Sequence, residues 1–278
     1  MWIAILSTWE AAYRLLAWDA WQFPAPSHVT DAIFNLIGVE TAFGEPLHAG
    51  WPRPIVGDAR PTATSQPWYR LPLIEASATS LARLAVSFVI SLVIGSLLGL
   101  LMWRVAAVND FFGPLFLGLQ TLPSVCWVPL GIISFGLSER AILFVVVMGS
   151  AFAIALSLRD GLRSLPPTYR RAGLMLGAHR WRLYRYVLLP ASLPALSSSL
   201  RSGFSFAWRA LMGAEFVLVA VRWHGLGFLL ETGRNFSDVA QVVAVMVLMV
   251  AVGMIVDRFG LAPLERRVYE RFGLLATE

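Results

Sequence analysis

Residues 84–103 read LAVSFVISLVIGSLLGLLMW, a run of 20 residues without one charged side chain. A helix of about 20 apolar residues spans the hydrocarbon core of a bilayer. Across all 278 residues, 57% are hydrophobic and only 14% are charged, which is more apolar than a soluble domain of this length. The run therefore predicts an all-α integral membrane protein.

Five other segments are candidate spans. Three lack charge and are at least 18 residues long: 111–138, 141–158 and 239–256. A fourth, 187–221, contains three charged residues, and a fifth, 2–18, holds Glu10 and Arg14 at an i,i+4 spacing that allows pairing. This first segment has no basic leader and no small-residue cleavage site after it, so it is predicted to be an uncleaved helix rather than a signal peptide.

The chain is predicted to be a single transmembrane domain, 1–278, with about six spans. The predicted spans are 2–18, 79–104, 111–136, 140–158, 190–221 and 239–258. Residues 38–75 are rich in proline and form a predicted extracytoplasmic loop. Residues 159–189 form a predicted cytoplasmic loop, and 259–278 form a predicted cytoplasmic tail.

The distribution of arginine predicts the orientation. All 22 basic residues are arginine; one set of connections carries 12 of them and the other carries 6. The larger set comprises Arg104, seven arginines from 159 to 185 and four from 258 to 271. Short basic connections stay in the cytoplasm, so both termini and the 159–189 loop are predicted to be cytoplasmic. The formal net charge of +5 has the same explanation and does not indicate nucleic-acid binding.

Small residues on the second predicted span indicate close packing. Ser91, Gly95 and Gly99 recur every four residues, a spacing that lets two helix backbones approach each other. They fit either packing within the chain or contact with a second subunit. The single cysteine, Cys126, excludes an intrachain disulfide and a multi-cysteine metal site, and its apolar surroundings predict a packing role.

Two prolines interrupt the third predicted span, in LQTLPSVCWVPLGIISFG. Pro123 and Pro129 each remove a helical hydrogen bond and leave a carbonyl that needs another partner or a watery cavity. They mark either a break beside a translocation pathway or a simple kink.

Three charged residues lie within the fifth predicted span. Arg201, Arg209 and Glu215 are costly in a membrane and are functional candidates for that reason. Counted from Pro190, Arg201 falls about 16 Å into the helix, near the midplane. There it would line a pathway for an anion or take part in a structural pair. Arg209 and Glu215 fall nearer the outer edge, where snorkelling or pairing is the alternative.

The cytoplasmic loop contains RRAGLMLGAHRWRLYRYVLLP, residues 170–190, with five arginines in 21 residues. Pro166 and Pro167 suit a helix start, Thr168 is a predicted cap, and Gly177 is predicted to end this helix in a left-handed turn. A second, amphipathic helix is predicted after the glycine. The arrangement fits either an anchor to anionic lipid or a lever that transmits motion from a soluble partner.

This loop resembles the signature of the permease subunits of bacterial ABC importers. That signature is Glu-Ala-Ala, three residues, Gly, nine residues, Ile, one residue and Leu-Pro. In this chain Ala172, Gly177 and Val187 take the places of the first Ala, the Gly and the Ile. Leu189 and Pro190 follow in register.

The chain departs from the signature at Arg171, which stands in the place of Glu, and at Gly173, which stands in the place of the second Ala. The resemblance otherwise extends to nitrate/sulfonate/taurine/bicarbonate-type permeases over nearly the whole chain. The matching segments are FPAPSHVTDAI, SLARLAVSFVISLVIGSLLGLLM, LQTLPSVCWVPLGIISFGLSE, LRSGFSFAWRALMGAEFV and HGLGFLL. Residues 39–72 look like an insertion into the family pattern.

The resemblance implies the type I ABC importer arrangement, with a coupling helix between spans 4 and 5, in a bacterial inner membrane. It implies a second permease chain, two cytoplasmic ABC ATPase subunits and an extracytoplasmic solute-binding protein. A homodimer is expected and a heterodimer stays open. ATP and Mg would belong to the ATPase, so no catalytic site, cofactor or metal is expected on this chain. The expected cargo is a small anion of the sulfonate or taurine, nitrate or bicarbonate class.

The same resemblance suggests the site residues. The expected ATPase-coupling residues are Arg170, Arg171, Ala172, Gly173, Gly177, Val187, Leu189 and Pro190. Leu189 and Pro190 are expected to fix the start of the fifth span. The candidate pathway residues are Pro123, Pro129, Arg201, Arg209 and Glu215.

An ion-gradient-driven secondary transporter and an intramembrane enzyme are the alternative functions. An ion-gradient-driven secondary transporter is expected to have buried ionisable relays and repeated halves, and the sequence shows no repeated half. An intramembrane enzyme is disfavoured because there is no His-Glu-x-x-His or Gly-x-Ser-x-Gly motif. The chain also has no Gly-x4-Gly-Lys-[Ser/Thr] loop and no lysine, so the energy for transport is expected to come from elsewhere.

Overall fold

The computed structural model describes residues 2–16, 24–37, 72–179, 181–218 and 224–272, and every regular element in those ranges is helical. The helices are α1 (Trp2–Leu16), α2 (Pro26–Ile37), α3 (Pro72–Arg104), α4 (Ala106–Thr121), α5 (Val128–Phe135), α6 (Glu139–Arg163), α7 (Pro167–Met175), α8 (Trp181–Leu183), α9 (Leu189–Ala191), α10 (Leu193–Val217), α11 (Leu226–Asn235), α12 (Val239–Val256) and α13 (Ala262–Arg271). The predicted all-α class is confirmed.

Three of the described helical stretches are long and apolar enough to cross a membrane: α3, α6, and α12 continued into α13. A fourth is obtained if α4 and α5 count as one bent span. These four correspond to predicted spans 2, 4, 6 and 3. Predicted span 1 corresponds to α1, which has 15 residues, and predicted span 5 corresponds to α10, which is diluted by serines and three charges. The count of six spans therefore stays a prediction.

The third predicted span is bent by 104° between α4 and the segment Ser124–Phe135. Pro123 lies at the bend, in extended backbone, so the predicted interruption there is confirmed. The predicted interruption at Pro129 is wrong. Pro129 occupies the first turn of α5, where the missing N–H has no helical partner to lose.

Several predicted boundaries differ from those of the structure. Helix α3 begins at Pro72, so residues 72–75 belong to a helix and not to the predicted 38–75 loop. The rest of that loop, and with it the predicted insertion, lies outside the described residues. The helix of the last predicted span continues beyond 258, because a π-helical turn, Asp257–Leu261, carries α12 into α13.

The chain divides into two units, one formed by 1–82 and 215–252 and the other by 83–214 and 253–278. The first unit contains α2, a helix that the sequence analysis did not predict. In this unit the predicted pair of Glu10 and Arg14 is confirmed at 2.8 Å. The same carboxylate accepts hydrogen bonds from Ser27, which joins α1 to α2.

Helix α6 has the most buried face of the candidate spans and forms the centre of the second unit. A Cβ added at Gly95 would lie 2.7 Å from the carbonyl oxygen of Ala151, and one at Gly99 would lie 2.7 Å from that of Ala155. The hydroxyl of Ser150 also donates to that of Ser91, at 2.8 Å. The small-residue stripe of α3 therefore packs within this chain, against the backbone of α6.

We expect Gly95→Ala to lower the free energy of unfolding by about 1–3 kcal/mol, because the added methyl group cannot fit between the two backbones. The matched control is Gly118→Ala in α4, where an added Cβ meets nothing within 4 Å. There the helix preference of alanine is expected to give a small gain, of about 0.5–1 kcal/mol. Thermal unfolding of both variants in detergent measures this difference, and equal midpoints would contradict the packing described here.

Candidate functional site

Helix α7 is the short helix that was predicted in the cytoplasmic loop. It begins at Pro167, and the residue before it, Pro166, makes no side-chain cap. Thr168 lies inside the first turn, so its predicted capping role is wrong. The two prolines begin the helix instead, because proline has a helical φ and no N–H that must be satisfied.

The C-terminus of α7 is closed by Gly177, whose φ of 78° is left-handed. The N–H of Gly177 donates to the carbonyl of Leu174 at 3.1 Å, and that of Ala178 donates to the carbonyl of Gly173 at 2.9 Å. These two bonds form a Schellman motif, which satisfies carbonyls that the helix end would leave open. The predicted left-handed turn at Gly177 is confirmed.

The second predicted helix of the loop is irregular. It consists of α8, a π-helical turn at Tyr184–Leu188, and α9, and α10 then begins at Leu193. Leu189 and Pro190 therefore lie in α9, just before α10, and their role in fixing the start of the fifth span stays a prediction. Because Pro190 has no N–H to donate to the preceding turn, it favours a local departure from α-helical bonding.

Gly173 lies where the two arms of the loop touch. A Cβ at this position would lie 2.6 Å from Cδ1 of Leu183 and 3.1 Å from Cγ2 of Val187. The glycine is buried, and Leu183 is almost fully buried opposite it. The departure from alanine at this position thus has a packing reason, since the side chains of the second arm fill the space of the missing methyl group.

The outward face of α7 combines positive charge with exposed apolar side chains. Arg170, Arg171 and Ala172 are exposed, and Met175 and Leu176 expose 87% and 86% of their surface. We call these five residues the α7 surface. Large apolar side chains this exposed and adjacent to each other are typical of a contact site for another protein.

The three charges of α10 lie in three separate environments. Glu215 is 14 residues from Arg201, or about 21 Å along the helix axis, so the two do not form one site. Arg201 donates two bonds to Asp257, at 2.7 and 2.8 Å, and one to Glu265 at 3.0 Å. The structural pairing that the sequence left open is therefore present. Asp257 directly follows the uncharged run of α12, and this position is the signal in the sequence that could have identified the partner.

Arg209 and Glu215 differ in exposure. Arg209 is exposed; its guanidinium lies 4.6 Å from the ring centre of Phe206, and its Nε donates to the carbonyl of Ser205 at 3.2 Å. Glu215 is buried, with 2% of its surface exposed, and accepts a hydrogen bond from Ser80 at 2.7 Å. An exposed arginine beside an aromatic ring is available to a ligand, whereas a buried carboxylate with protein donors has a structural environment.

Cys126 is exposed in this chain, in the 3-10 turn after the bend. The packing role predicted for it is therefore wrong within the single chain. The residues that the structure describes contain no group of three or more His, Cys, Asp or Glu side chains that could hold a metal ion.

Sequence reasoning missed an ion pair between Arg83 and Glu139. Nε and Nη2 of Arg83 each donate to one carboxylate oxygen of Glu139 at 2.6 Å, and the arginine is only 7% exposed. Arg83 immediately precedes the uncharged run of α3 and Glu139 is the first residue of α6, so neither position identifies the other as its partner in the sequence. A buried arginine needs such a partner, since an unpaired charge there would be costly.

Comparison with known proteins decides the family. Residues 91–268 match the family described as binding-protein-dependent transport system inner membrane component, and this stretch covers more than half of the chain. The chain belongs to this family. The matched region contains the bend, the α7 surface and the three charges of α10, so each of these features lies in the part of the permease that the family model describes.

Individual relatives support the same assignment. The permease is 28% identical over 180 residues to the nitrate import permease protein of a Synechocystis species, and 28% identical over 180 residues to the bicarbonate transport system permease protein of Synechococcus elongatus. Each match covers 65% of this chain and 64% of the relative. The taurine transport system permease protein of Escherichia coli is 25% identical over 256 residues, covering 89% of this chain and 92% of the relative. The chain is therefore an ABC importer permease, similar to proteins named for nitrate, bicarbonate and taurine transport, and a multi-pass transport component of the inner membrane.

Proposed function

We propose that this permease forms the translocation pathway of an ATP-driven importer for a small anion, delivered by an extracytoplasmic binding protein. The observation that carries the proposal is the α7 surface, an exposed apolar and basic patch on a short helix of a chain that belongs to the permease family. Two ABC ATPase subunits dock on this surface and on that of a second permease chain. Both termini face the cytoplasm, as the arginine distribution predicts.

The proposed permease performs no covalent chemistry. ATP and Mg bind to the ATPase, and this chain contributes a conformational equilibrium that the ATPase and the binding protein bias. Closure of the ATPase dimer moves the α7 surfaces together, and the membrane helices open outward. ATP hydrolysis reverses the movement, which is alternating access between two states.

The loop is built to transmit this movement. The Schellman motif fixes the end of α7, and the contact of Gly173 with Leu183 and Val187 joins α7 to the arm that leads into α10. The spans on either side of the loop also touch, because a Cβ at Gly161 of α6 would collide with Ala195 of α10. A force on α7 therefore acts on α6 and α10 together.

The anion preference rests on the names of the relatives and on the exposed arginine of α10. Arg201 is bound by two carboxylates, and that leaves a net negative charge around it, which is unfavourable for an anion. Arg209 is the better candidate for contact with the cargo. Its side chain is exposed, and among the described residues its contacts are an aromatic ring and a backbone carbonyl rather than a carboxylate. Pro123 and the neighbouring bend remain part of the proposed pathway.

We expect Arg209→Ala to reduce anion uptake by about 10- to 100-fold, because a charge-assisted contact contributes about 1.5–3 kcal/mol. Uptake is measured in proteoliposomes that contain the permease, its ATPase and its binding protein. Arg209→Lys keeps the charge and is expected to retain part of the activity, whereas ATPase association is expected to be unchanged in both. Full uptake by Arg209→Ala would remove this residue from the pathway.

The energy source tests the proposed function itself. Uptake is expected to require ATP inside the vesicle and to persist when ionophores collapse the ion gradients. The alternative, a secondary transporter driven by an ion gradient, predicts the opposite pair of results. No feature of the described residues favours that alternative.

A further inference from the structure

The start of α11 is a helix N-terminus that its own sequence does not cap. Gly225 occupies the N-cap position and has no side chain that could accept a hydrogen bond from the first N–H groups of the helix. Gly225, Leu226 and Gly227 are all buried. The first N–H groups of a helix have no partner within the helix, and leaving them unsatisfied in a buried place is costly.

Two other helices supply the acceptors. The N–H of Leu226 donates to the hydroxyl oxygen of Ser80 in α3 at 2.9 Å, and that of Gly227 donates to Oε2 of Glu215 in α10 at 3.1 Å. The hydroxyl of Ser80 in turn donates to the same carboxylate oxygen at 2.7 Å. Three hydrogen bonds thus connect α3, α10 and α11 at one point. A carboxylate at this end of a helix is also favoured by the helix dipole.

The glycines on either side of this point explain why the carboxylate can reach it. A Cβ at Gly225 would collide with both carboxylate oxygens of Glu215, and a Cβ at Gly227 would collide with the Cβ of that glutamate. The backbone of Gly225 is extended, with a φ of −101° that any residue adopts. Glycine is therefore present for space, and the carboxylate occupies the place of an ordinary capping side chain.

We propose that Glu215 and Ser80 form an N-cap in trans for α11, and that Glu215 is a positioning residue for the segment between the last two spans. The far end of α11 is held locally, since the side-chain amide of Gln241 in α12 donates to the carbonyl of Leu229 at 3.1 Å. The cap thus ties the position of α11 to that of α3 and α10. The proposal rests on the proposed function only for its uptake measurement, because the cap is tested on the chain alone.

Hydrogen exchange of the full-length chain in lipid nanodiscs tests the cap. In Glu215→Ala the amides of 226–235 are expected to exchange about five- to tenfold faster, the effect of losing a helix cap worth about 1 kcal/mol. Glu215→Gln keeps one acceptor oxygen and is expected to have a smaller effect. Exchange in α6 is expected to be unchanged, which shows that the fold is intact. The control Glu75→Gln, on an exposed side chain in the first turn of α3, is expected to change nothing.

A second substitution makes the test specific. Gly225→Ser alone is expected to speed exchange in α11, because its side chain collides with Glu215. In Glu215→Ala the same serine has room and can cap the helix itself, so the double variant is expected to restore protection. This reversal of sign distinguishes a cap from a general packing role.

The proposal is overturned if Glu215→Ala leaves exchange of 226–235 unchanged, or if Gly225→Ser fails to restore protection in that background. Exchange that rises equally in α6 and α11 would overturn it as well. Uptake is expected to fall in Glu215→Ala and to recover in the double variant. If the unmodified chain shows no ATP-driven uptake, the proposed function fails, and the exchange results still decide the cap.

Discussion

Replacing Met175 and Leu176 together by glutamate is expected to reduce ATP-driven uptake by about 30-fold or more. These side chains expose 87% and 86% of their surface on α7 and have no packing role within the described chain that the change would disturb. If they enter a groove on the ATPase, two buried negative charges would replace two apolar contacts. Loss of a central contact residue costs about 2 kcal/mol or more at a protein interface.

The control is the exchange of the two residues, Met175→Leu with Leu176→Met, which keeps the apolar surface and is expected to retain uptake. Co-purification of the ATPase is measured alongside uptake. The glutamate variant is expected to lose the ATPase while the permease itself stays folded in detergent. Normal uptake by the glutamate variant would exclude the α7 surface as the point of coupling.

A second effect on both stability and uptake is expected at the ion pairs that join α10 to the residues after α12. Arg201→Ala and Asp257→Asn are each expected to lower the thermal unfolding midpoint and to reduce uptake, because either change leaves the other charge without its bidentate partner. The arginine is 45% exposed, so the loss in unfolding free energy is expected to be about 1 kcal/mol rather than the larger value of a buried pair.

The two roles considered for Arg201 are separated by its partner. A structural pair predicts similar losses from Arg201→Ala and Asp257→Asn, and a double variant no worse than either alone, so that the coupling energy is about as large as the single loss of about 1 kcal/mol. A role in the pathway predicts that only the arginine matters for uptake. Thermal unfolding and uptake of the three variants decide between them, and an unaffected Asp257→Asn variant would contradict the structural account.

The features that could be predicted from the sequence are those that depend on residues close together in the chain. Absence of charge over 18 or more residues is such a feature, and it predicted α3, α6 and α12. The break at Pro123 follows from the chemistry of one residue, as does the turn at Gly177. The predictions at Pro129 and Thr168 were wrong because Pro129 lies in the first turn of α5, where proline does not interrupt a helix, and Thr168 lies inside α7 rather than before it.

Partners that lie far apart in the chain could not be predicted. Arg83 and Glu139 are separated by 56 residues, and Ser80 and Glu215 by 135. Each of these residues was visible as a polar residue in or beside an apolar run, but its partner depends on which helices pack together. The cap of α11 was hidden for the same reason, since its acceptors come from two other helices.

The central claim is that the α7 surface binds the ATPase on the cytoplasmic side. Cys126 is the single cysteine, so Cys126→Ser removes all thiols and Met175→Cys then adds one at a position of the α7 surface whose side chain is 87% exposed. In membranes this thiol is expected to cross-link to the ATPase and to resist an impermeant thiol reagent added from outside the cell. Labelling from outside, with no cross-link to the ATPase, would contradict the account.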